Sequence, residues 1–399
     1  MRFEMLDRNA VSRILQDRIS VEINALRGGT VALLPPGHWA DTLRIGLELG
    51  ADSLEMMALA GAVNEFFHLH DTGCADLLLA RRQFGDWVDL AHHACGREAA
   101  RITFRTSGST GSPKRCTHSL ASLATEAAEH VGRLQPGRIF AAVPTHHIYG
   151  FIFSALVPSL AGCQVVDMRA HLPEHASFGA GDLIVSYPDH WRFLASTYRH
   201  LPAVTGVTSG GPMNANLARE ISEQGVRLIE IYGASETAGI GWRDHPDAPF
   251  TLLDRWQVAC TPAGRGILAL VDRTGHGAAT QDEVDMIGSR SFWLLGRPDG
   301  AVQVGGINVY PARVAALLQS HTLISRALVQ LTDHGQGGRL AAVLVPEDPA
   351  ADLEALRMTI GTWIKTNLAP PEQPRSLVFE SEATWKRREK LAHWSRVDG

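Results

Sequence analysis

Two rhythms of apolar residues replace one another along this chain. A return every three or four positions predicts helices over residues 53–68 and 76–93, over Leu120–Val131, and from about Ala40. Short apolar runs rich in Val and Ile predict strands at Val31–Leu34, closed by Pro35-Pro36-Gly37, and at Arg101–Arg105, Ile139–Val143, Val165–Asp167, Leu183–Val185, Ala203–Thr208 and Leu228–Ile231. Strands alternating with helices predict an α/β fold with large sheets. The apolar stretch from Ile148 to Val166 is long enough to raise the question of a membrane span. Gly150, Pro158 and Gly162 interrupt it, so it reads as a buried helix followed by a strand.

The texture changes after Arg297-Pro298-Asp299-Gly300. A Val/Gly-rich hairpin leads to a helix near Pro311–Ser320, strands at Arg326–Leu331 and Leu340–Val345, and a helix over about 351–368. This predicts a large N-terminal α/β domain over 1–297 and a smaller α+β domain over 298–399. Pro298 and Gly300 flank Asp299 as a hinge would require.

Composition narrows the class. A chain of 399 residues with 45% hydrophobic residues suits two or three globular domains. Its 42 acidic and 37 basic residues leave a net charge of −5, which argues against a nucleic-acid partner. Five scattered cysteines without a CxxC pair form no zinc or disulfide framework, and the charged MRFEMLDRNA start lacks the apolar core of a signal peptide. A cytoplasmic protein with no membrane span is the expectation. Eighteen histidines include no HExxH spacing.

The densest chemical signal is Thr106-Ser107-Gly108-Ser109-Thr110-Gly111-Ser112-Pro113-Lys114, which follows a predicted strand. Small residues let the backbone wrap a phosphate, hydroxyls and amides donate to it, and Lys114 adds charge. The spacing of Gly108, Gly111 and Lys114 is not that of a Walker loop, and no dinucleotide-binding glycine pattern follows a strand.

The TSGSTGSPK segment resembles the phosphate loop of the ANL superfamily of adenylate-forming enzymes: acyl- and aryl-CoA synthetases, peptide-synthetase adenylation domains and luciferases. The resemblance runs in order over roughly residues 101–391 and implies the ANL adenylating fold, with a large N-terminal domain and a small mobile C-terminal one. Pro144-Thr-His-His-Ile-Tyr-Gly150 is similar to the segment that places His147, with Tyr149, beside the acid. Ser209-Gly210-Gly211-Pro212 resembles the lining of the acid and adenine pockets, and the Gly239–Gly241 segment, His146 and Phe151 would complete a compact acid pocket. Tyr232-Gly233-Ala234-Ser235-Glu236-Thr237 resembles the element in which Glu236 holds magnesium, Thr237 approaches phosphate and Tyr232 stacks near adenine. It lacks the closing glycine of a serine-hydrolase elbow.

By the same resemblance Asp282, in Thr280-Gln281-Asp282, binds the ribose hydroxyls, with Asp285 as the local alternative. Arg297 lies on the ribose or phosphate side, Asp299 is the pivot, and Gly305-Gly306 form a thiol tunnel. Lys386, in Thr384-Trp385-Lys386, stands where the family carries its catalytic lysine, and Arg387, Arg388 and Lys390 read as surface charges. Gln281 and Trp385 each replace a usual glycine, and the chain before the phosphate loop is trimmed relative to typical relatives. Short members resemble AMP-ligases that activate aryl or fatty acids for carrier proteins, including hydroxybenzoate-activating enzymes of aryl-polyene (xanthomonadin-type) pathways.

The resemblance therefore implies a reaction. ATP and Mg2+ convert a carboxylic acid, expected to be a hydroxylated aromatic one, into an acyl-AMP with release of pyrophosphate. A thiol, of coenzyme A or of an acyl carrier protein's phosphopantetheine, then takes the acyl group. Lys114, Glu236, Thr237 and Lys386 are the expected catalytic set. The rival readings are a catalytically degenerate nucleotide-binding protein of the same fold and a phosphoryl-transfer enzyme releasing ADP. A homodimer is kept open as an assembly.

Overall fold

The computed structural model describes residues 5–28, 39–106, 114–169, 171–174, 178–201, 203–260, 265–273, 275–305, 307–332 and 338–386. The Val31–Leu34 run, Ser107–Pro113, Gly306, and Arg387, Arg388 and Lys390 lie outside them. The chain divides into two compact units, the second beginning at Gly296.

The first unit opens with a helix that periodicity did not single out, α1 (Arg8–Leu26), capped by the Asp7 carboxylate, which accepts from the Ala10 amide at 2.7 Å. Asp17 and Arg18 stand among its buried positions and break the apolar stripe, which is why the sequence pattern is weak. α2 (Ile45–Glu48) is a single turn where a longer helix from about Ala40 was expected. α3 (Ser53–Phe67) starts in a capping box between Asp52 and Glu55 and ends at His68, whose φ is 52°.

The helix expected over 76–93 is two, α4 (Leu77–Ala80) and α5 (Phe84–Cys95). Arg81 is extended between them, and Gln83 forms a bridge to Arg44. The buried Trp87 indole N–H donates to the Leu78 and Arg81 carbonyls at 2.9 and 2.7 Å, supplying partners that the break removes.

Next comes the hairpin β1 (Arg101–Thr106) and β2 (Lys114–Ser119), in register from Arg101↔Ser119 to Thr106↔Lys114. Beyond α6 (Leu120–Leu134) the central sheet begins with β3 (Arg138–Ala141), β4 (Gln164–Asp167), β5 (Asp182–Ser186), β6 (Thr205–Thr208) and β7 (Arg227–Ala234). These pair in parallel in the order β4-β3-β5-β6-β7. Alternate residues enter different cores: Ile139, Leu183, Val185, Ile229 and Ile231 join the cluster with the N-terminal helices. Phe140, Ile184 and Leu228 face α9 (Pro188–Thr197) and α10 (Ala215–Glu223), through Trp191, Leu194, Leu217 and Ile221. Burial on both faces explains their continuous apolar runs.

The apolar stretch after His147 is helical, as expected: α7 (Ile148–Phe151), a π-helical turn at Ile152–Leu156, and α8 (Val157–Ala161), followed by β4. Gly150 is required there, because a Cβ would lie 2.1 Å from the Pro144 carbonyl oxygen. Among the described residues no helix is long and apolar enough to cross a membrane.

The sheet continues through strands that the sequence reading passed over: β8 (Ala238–Arg243), β9 (Phe250–Leu252), β10 (Trp256–Cys260), β11 (Arg265–Asp272), β12 (Gly277–Met286) and β13 (Ser291–Gly296). Among the described residues eleven strands join in the order β10-β11-β12-β13-β9-β8-β7-β6-β5-β3-β4. In β12 only Thr280 and Val284 are buried, so its apolar pattern is faint.

The second unit holds the hairpin β14 (Val302–Val304) and β15 (Ile307–Val309), then α11 (Pro311–Gln319) and α12 (Leu353–Asn367). Its sheet pairs β16 (Ile324–Thr332) antiparallel to β17 (Arg339–Pro346), with β18 (Ser376–Phe379) parallel to β17. Val314, Leu318, Leu344 and Ile360 lie at its core.

Candidate active site

Parallel strands β3, β5, β6 and β7 end on the same edge of the sheet, and their following loops carry most of the expected site. Ligands of open α/β sheets bind at such carboxyl ends. The hairpin β1–β2 brings Lys114 to this edge. Its Nζ donates to Glu236 Oε1 at 2.9 Å, joining the end of the phosphate loop to the turn between β7 and β8. Burial opposes the charge of the Glu236 carboxylate, yet Lys114, its own backbone N–H and Gln281 hold its pKa below the usual value. Lys114 is raised in return by its bond to Glu236.

Three residues that the sequence reading did not assign hold this turn. His118 Nε2 lies 2.7 Å from the Ser235 carbonyl oxygen. Period-two alternation places it on the same strand face as Lys114 and Cys116, a signal available in the sequence. Glu126, fully buried on α6, accepts the Gly239 amide with both oxygens at 3.0 and 3.1 Å and the Arg255 guanidinium at 2.7 Å. Nothing local in the sequence marks Glu126 or Arg255 as partners.

The turn itself is closely built. Gly233 approaches the Ala238 carbonyl so tightly that a Cβ would sit 2.3 Å from its oxygen. Thr237 is buried, and its hydroxyl donates to the Ala238 carbonyl at 3.0 Å and accepts from the Ala234 amide at 3.2 Å. Those bonds close the turn, so here the hydroxyl is committed to the backbone. Tyr232 donates to Asp282 Oδ2 at 2.7 Å, which brings the expected adenine and ribose residues together. Thr280 Oγ1 donates to the Asp282 carbonyl oxygen at 2.8 Å and accepts from the Leu268 amide at 3.0 Å, steadying that bend.

On the acid side, the Tyr149 hydroxyl donates to the Ser186 and Val207 carbonyls at 2.9 and 3.0 Å, pinning the 144–150 loop across the ends of β5 and β6. Burial holds its pKa well above the usual tyrosine value. Ser209 Oγ donates to the Ile231 carbonyl at 2.9 Å, with Gly210 and Gly211 following it. His146 and His147 stack obliquely, ring centroids 4.1 Å apart. His147 is exposed, whereas His146 Nδ1 is buried without a hydrogen bond among the described residues. Burial, with help from His147, Arg18 and Arg169, pushes the His146 pKa down to about 2. Asp17 of α1 secures the start of this loop: it accepts from the Thr145 amide and hydroxyl at 2.6 and 2.7 Å and from Arg169 at 2.8 Å.

Phe151 is not a pocket residue. It is fully buried and packs against Phe66 and Phe104, because the helical turn after Gly150 rotates it into the core. The Gly239 amide is likewise occupied by Glu126.

The second unit carries the remaining expected residues. Arg297 makes a two-pronged contact with Asp299, at 2.8 and 2.6 Å, and Tyr310 donates to the same carboxylate at 3.2 Å. The Arg297 bond outweighs burial and lowers the Asp299 pKa to about 2. Gly305 turns the β14–β15 hairpin with φ +58°. Lys386 is exposed, its Nζ 3.6 Å from Glu382, and the preceding Trp385 is buried.

A profile of the AMP-binding enzyme family matches residues 80–265. Over 98% of its length the chain is 37% identical to the 4-coumarate–CoA ligase of Cereibacter sphaeroides, covering 97% of that protein. The chain belongs to the AMP-binding enzyme family. The 4-coumarate–CoA ligase of Halorhodospira halophila is 34% identical over 94% of this chain and 97% of its own. A solved o-succinylbenzoate CoA synthetase from Bacillus subtilis superimposes with a TM-score of 0.54 over 72% of this chain and 70% of its own, at 20% identity, which establishes the fold. This AMP-binding enzyme is thus an ANL-superfamily member of the AMP-forming acid–thiol ligase class. Its length is shared by relatives named as CoA ligases, so shortness is no mark of a carrier-protein acceptor.

Proposed function

We propose that the protein uses ATP and Mg2+ to activate a hydroxylated aromatic acid, of the hydroxycinnamate kind, as its acyl-AMP and then transfers the acyl group to coenzyme A. The observation that carries this reading is the Lys114–Glu236 pair beside Tyr232–Asp282: a cation and an ionised carboxylate at the end of a phosphate-type loop, next to a tyrosine–carboxylate pair suited to a nucleoside. Two relatives spanning nearly the whole chain and named 4-coumarate–CoA ligase support the acid and the acceptor.

A carboxylate is a poor acyl donor because oxide would have to leave. Its oxygen attacks the α-phosphorus of ATP and the bond to pyrophosphate breaks. A thiolate then attacks the acyl carbon and AMP departs with the former carboxylate oxygen. The first step brings an anion against a polyanion, so its barrier is mostly charge and orientation.

Glu236 fits magnesium: it is a hard oxygen donor, half-buried and held ionised by its neighbours. When bound, the metal supplies charge neutralisation on the phosphates. Lys114, exposed and flexible, exchanges its bond to Glu236 for a phosphate oxygen. Asp282 accepts from ribose hydroxyls, and the half-buried Tyr149 and exposed His147 border the acid. Lys386 serves the adenylation step, Arg297 the nucleotide, and rotation about Asp299 exchanges Lys386 for the Gly305-Gly306 hairpin. The motif order along the chain supports these last assignments.

The test is acid-dependent exchange of pyrophosphate into ATP, with magnesium, across hydroxycinnamates, hydroxybenzoates and fatty acids. Mass analysis of thioesters formed on coenzyme A and on a phosphopantetheinylated carrier protein follows. Exchange with one hydroxycinnamate and a coenzyme A thioester is expected. A hydroxybenzoate or a carrier thioester would revise the substrate or the acceptor, and ATP binding without any exchange would overturn the reading.

A further inference from the structure

The helix α3 ends at His68, which adopts φ 52°, a backbone region that non-glycine residues seldom occupy. The chain then makes a short 3-10 turn, Leu69–Thr72. That reversal brings three ligand-bearing side chains together: one ring nitrogen of His68, one of His70 and a carboxylate oxygen of Asp71 all lie within 4.8 Å of one another. His70 Nε2 is 3.3 Å from Asp71 Oδ1, and His68 Nδ1 is 3.9 Å from Asp71 Oδ2.

The surrounding bonds decide which nitrogens carry protons. Asn64 Oδ1 accepts from the His70 amide at 2.8 Å, which fixes the amide oxygen toward His70, and it lies 3.2 Å from His70 Nδ1. An acceptor there places the proton on Nδ1, leaving a lone pair on Nε2. His68 Nε2 lies 2.7 Å from Thr103 Oγ1, which is itself 2.7 Å from Thr117 Oγ1. His68 Nδ1 is buried and has no hydrogen bond among the described residues. A proton on it would be stranded, since Asp71 is beyond hydrogen-bond reach, so the proton belongs on Nε2.

Two imidazole lone pairs and a carboxylate therefore converge, and acceptors at these distances repel one another unless a cation lies between them. Each ring is oriented by a side-chain oxygen on its far nitrogen, as metal-bound histidines are. Arg101 Nη2 donates to Asp71 Oδ2 at 2.7 Å, leaving Oδ1 directed at His70.

We propose that His68, His70 and Asp71 form a site for a divalent transition metal, zinc in the first instance, separate from the nucleotide site. Two nitrogens and one oxygen suit zinc, with bonds of about 2.0–2.1 Å and water in the fourth position. Tetrahedral ligand atoms at that radius lie about 3.3 Å apart, so binding draws the side chains in from separations of 3.3 and 3.9 Å to Asp71 and at most 4.8 Å among all three. Nitrogen ligands favour zinc over magnesium, so the two ions do not compete for this position. Through Thr103 and Thr117 the site grips the middle of the β1–β2 hairpin, whose far end leads into the phosphate loop. Occupancy thereby ties the end of α3 to that hairpin.

The experiment is a zinc titration of the tag-free full chain, stripped with chelator and held in excess magnesium, followed by competition with a chromophoric chelator. One zinc per chain is expected. His70→Ala, at an exposed position, and Asp71→Asn should weaken binding at least about tenfold. Asn64→Ala should weaken it by about tenfold through loss of ring orientation, and His93→Ala should leave it unchanged. Cobalt in place of zinc should give a visible spectrum of low coordination number that His70→Ala abolishes, while circular dichroism verifies the fold of each variant. Absence of stoichiometric binding overturns the proposal. So does binding that survives His70→Ala, or that falls equally with His93→Ala.

Discussion

The carboxylate of Glu126 meets the guanidinium of Arg255 at 2.7 Å in the interior, with side-chain exposures of 1% and 5%. The same carboxylate holds the Gly239 amide, so one buried charge pair supports the strand that leaves the Glu236 turn. Neutralising one member strands the other. Glu126→Gln should cost about 3–5 kcal/mol of stability, measured by denaturant unfolding. Burial opposes the Glu126 charge, but His130 and Arg255 prevail and its folded pKa lies below the unfolded one. Its stabilisation is thus complete above the unfolded carboxylate range and fades as pH falls through the folded value. The wild-type protein should lose this increment in acid, and the variant should not.

Lys114 and Glu236 act on charge that develops during adenylation. Lys114→Met and Glu236→Gln should each lower acid-dependent pyrophosphate exchange by about 10²–10³-fold, with unfolding curves close to wild type. Full activity in either would remove that residue from the proposed site.

Lys386 separates the half-reactions. Lys386→Ala should abolish formation of the acyl-AMP yet spare thioester formation from synthetic acyl-AMP. Equal loss in both assays would sink the assignment. Asp299→Ala, which removes the carboxylate that Arg297 and Tyr310 bind, should slow the passage between the two steps, seen as acyl-AMP accumulating before thioester appears.

His146 contributes a pH dependence of opposite origin to a salt bridge. Its folded pKa of about 2 lies below the ordinary value of 6.5, so the unfolded chain takes up a proton that the folded one refuses. Stability should therefore fall as pH drops below about 6.5, by up to about 1.4 kcal/mol per unit. His146→Gln should flatten that slope in thermal melts between pH 6.5 and 4.5. An unchanged slope would mean that His146 is charged in the folded protein.

Much of this molecule was legible in sequence because its parallel strands are buried on both faces: Leu183–Val185 has no polar residue to dilute it, and Leu228–Ile231 has only Glu230. Strands β12 and β13 were hidden for the converse reason, since half-exposed positions blur the alternation, while β8 is buried but half of it is Ala and Gly. The break at Arg81–Gln83 depends on a bridge to Arg44, a tertiary contact that no local window contains. In the site, Lys114, Tyr232, Glu236 and Asp282 lie in recognisable segments. Their supports Asp17, Glu126 and Arg255 look like surface charges until the fold brings each its partner.

Asp17 and Thr145 are separated by 128 positions, and Arg169 follows later still. During synthesis, Asp17 is made roughly 6 to 25 s before Thr145. Through that interval Ile14, Leu15, Ile19 and Ile23, all buried in the finished protein, lack the full set of surfaces that will cover them. The acid loop can lock only once Thr145 has been made and can reach α1. Chains halted anywhere before Thr145 should accordingly be sticky, protease-sensitive products, and a slow passage through residues 17–145 should depend on chaperones to keep that helix available.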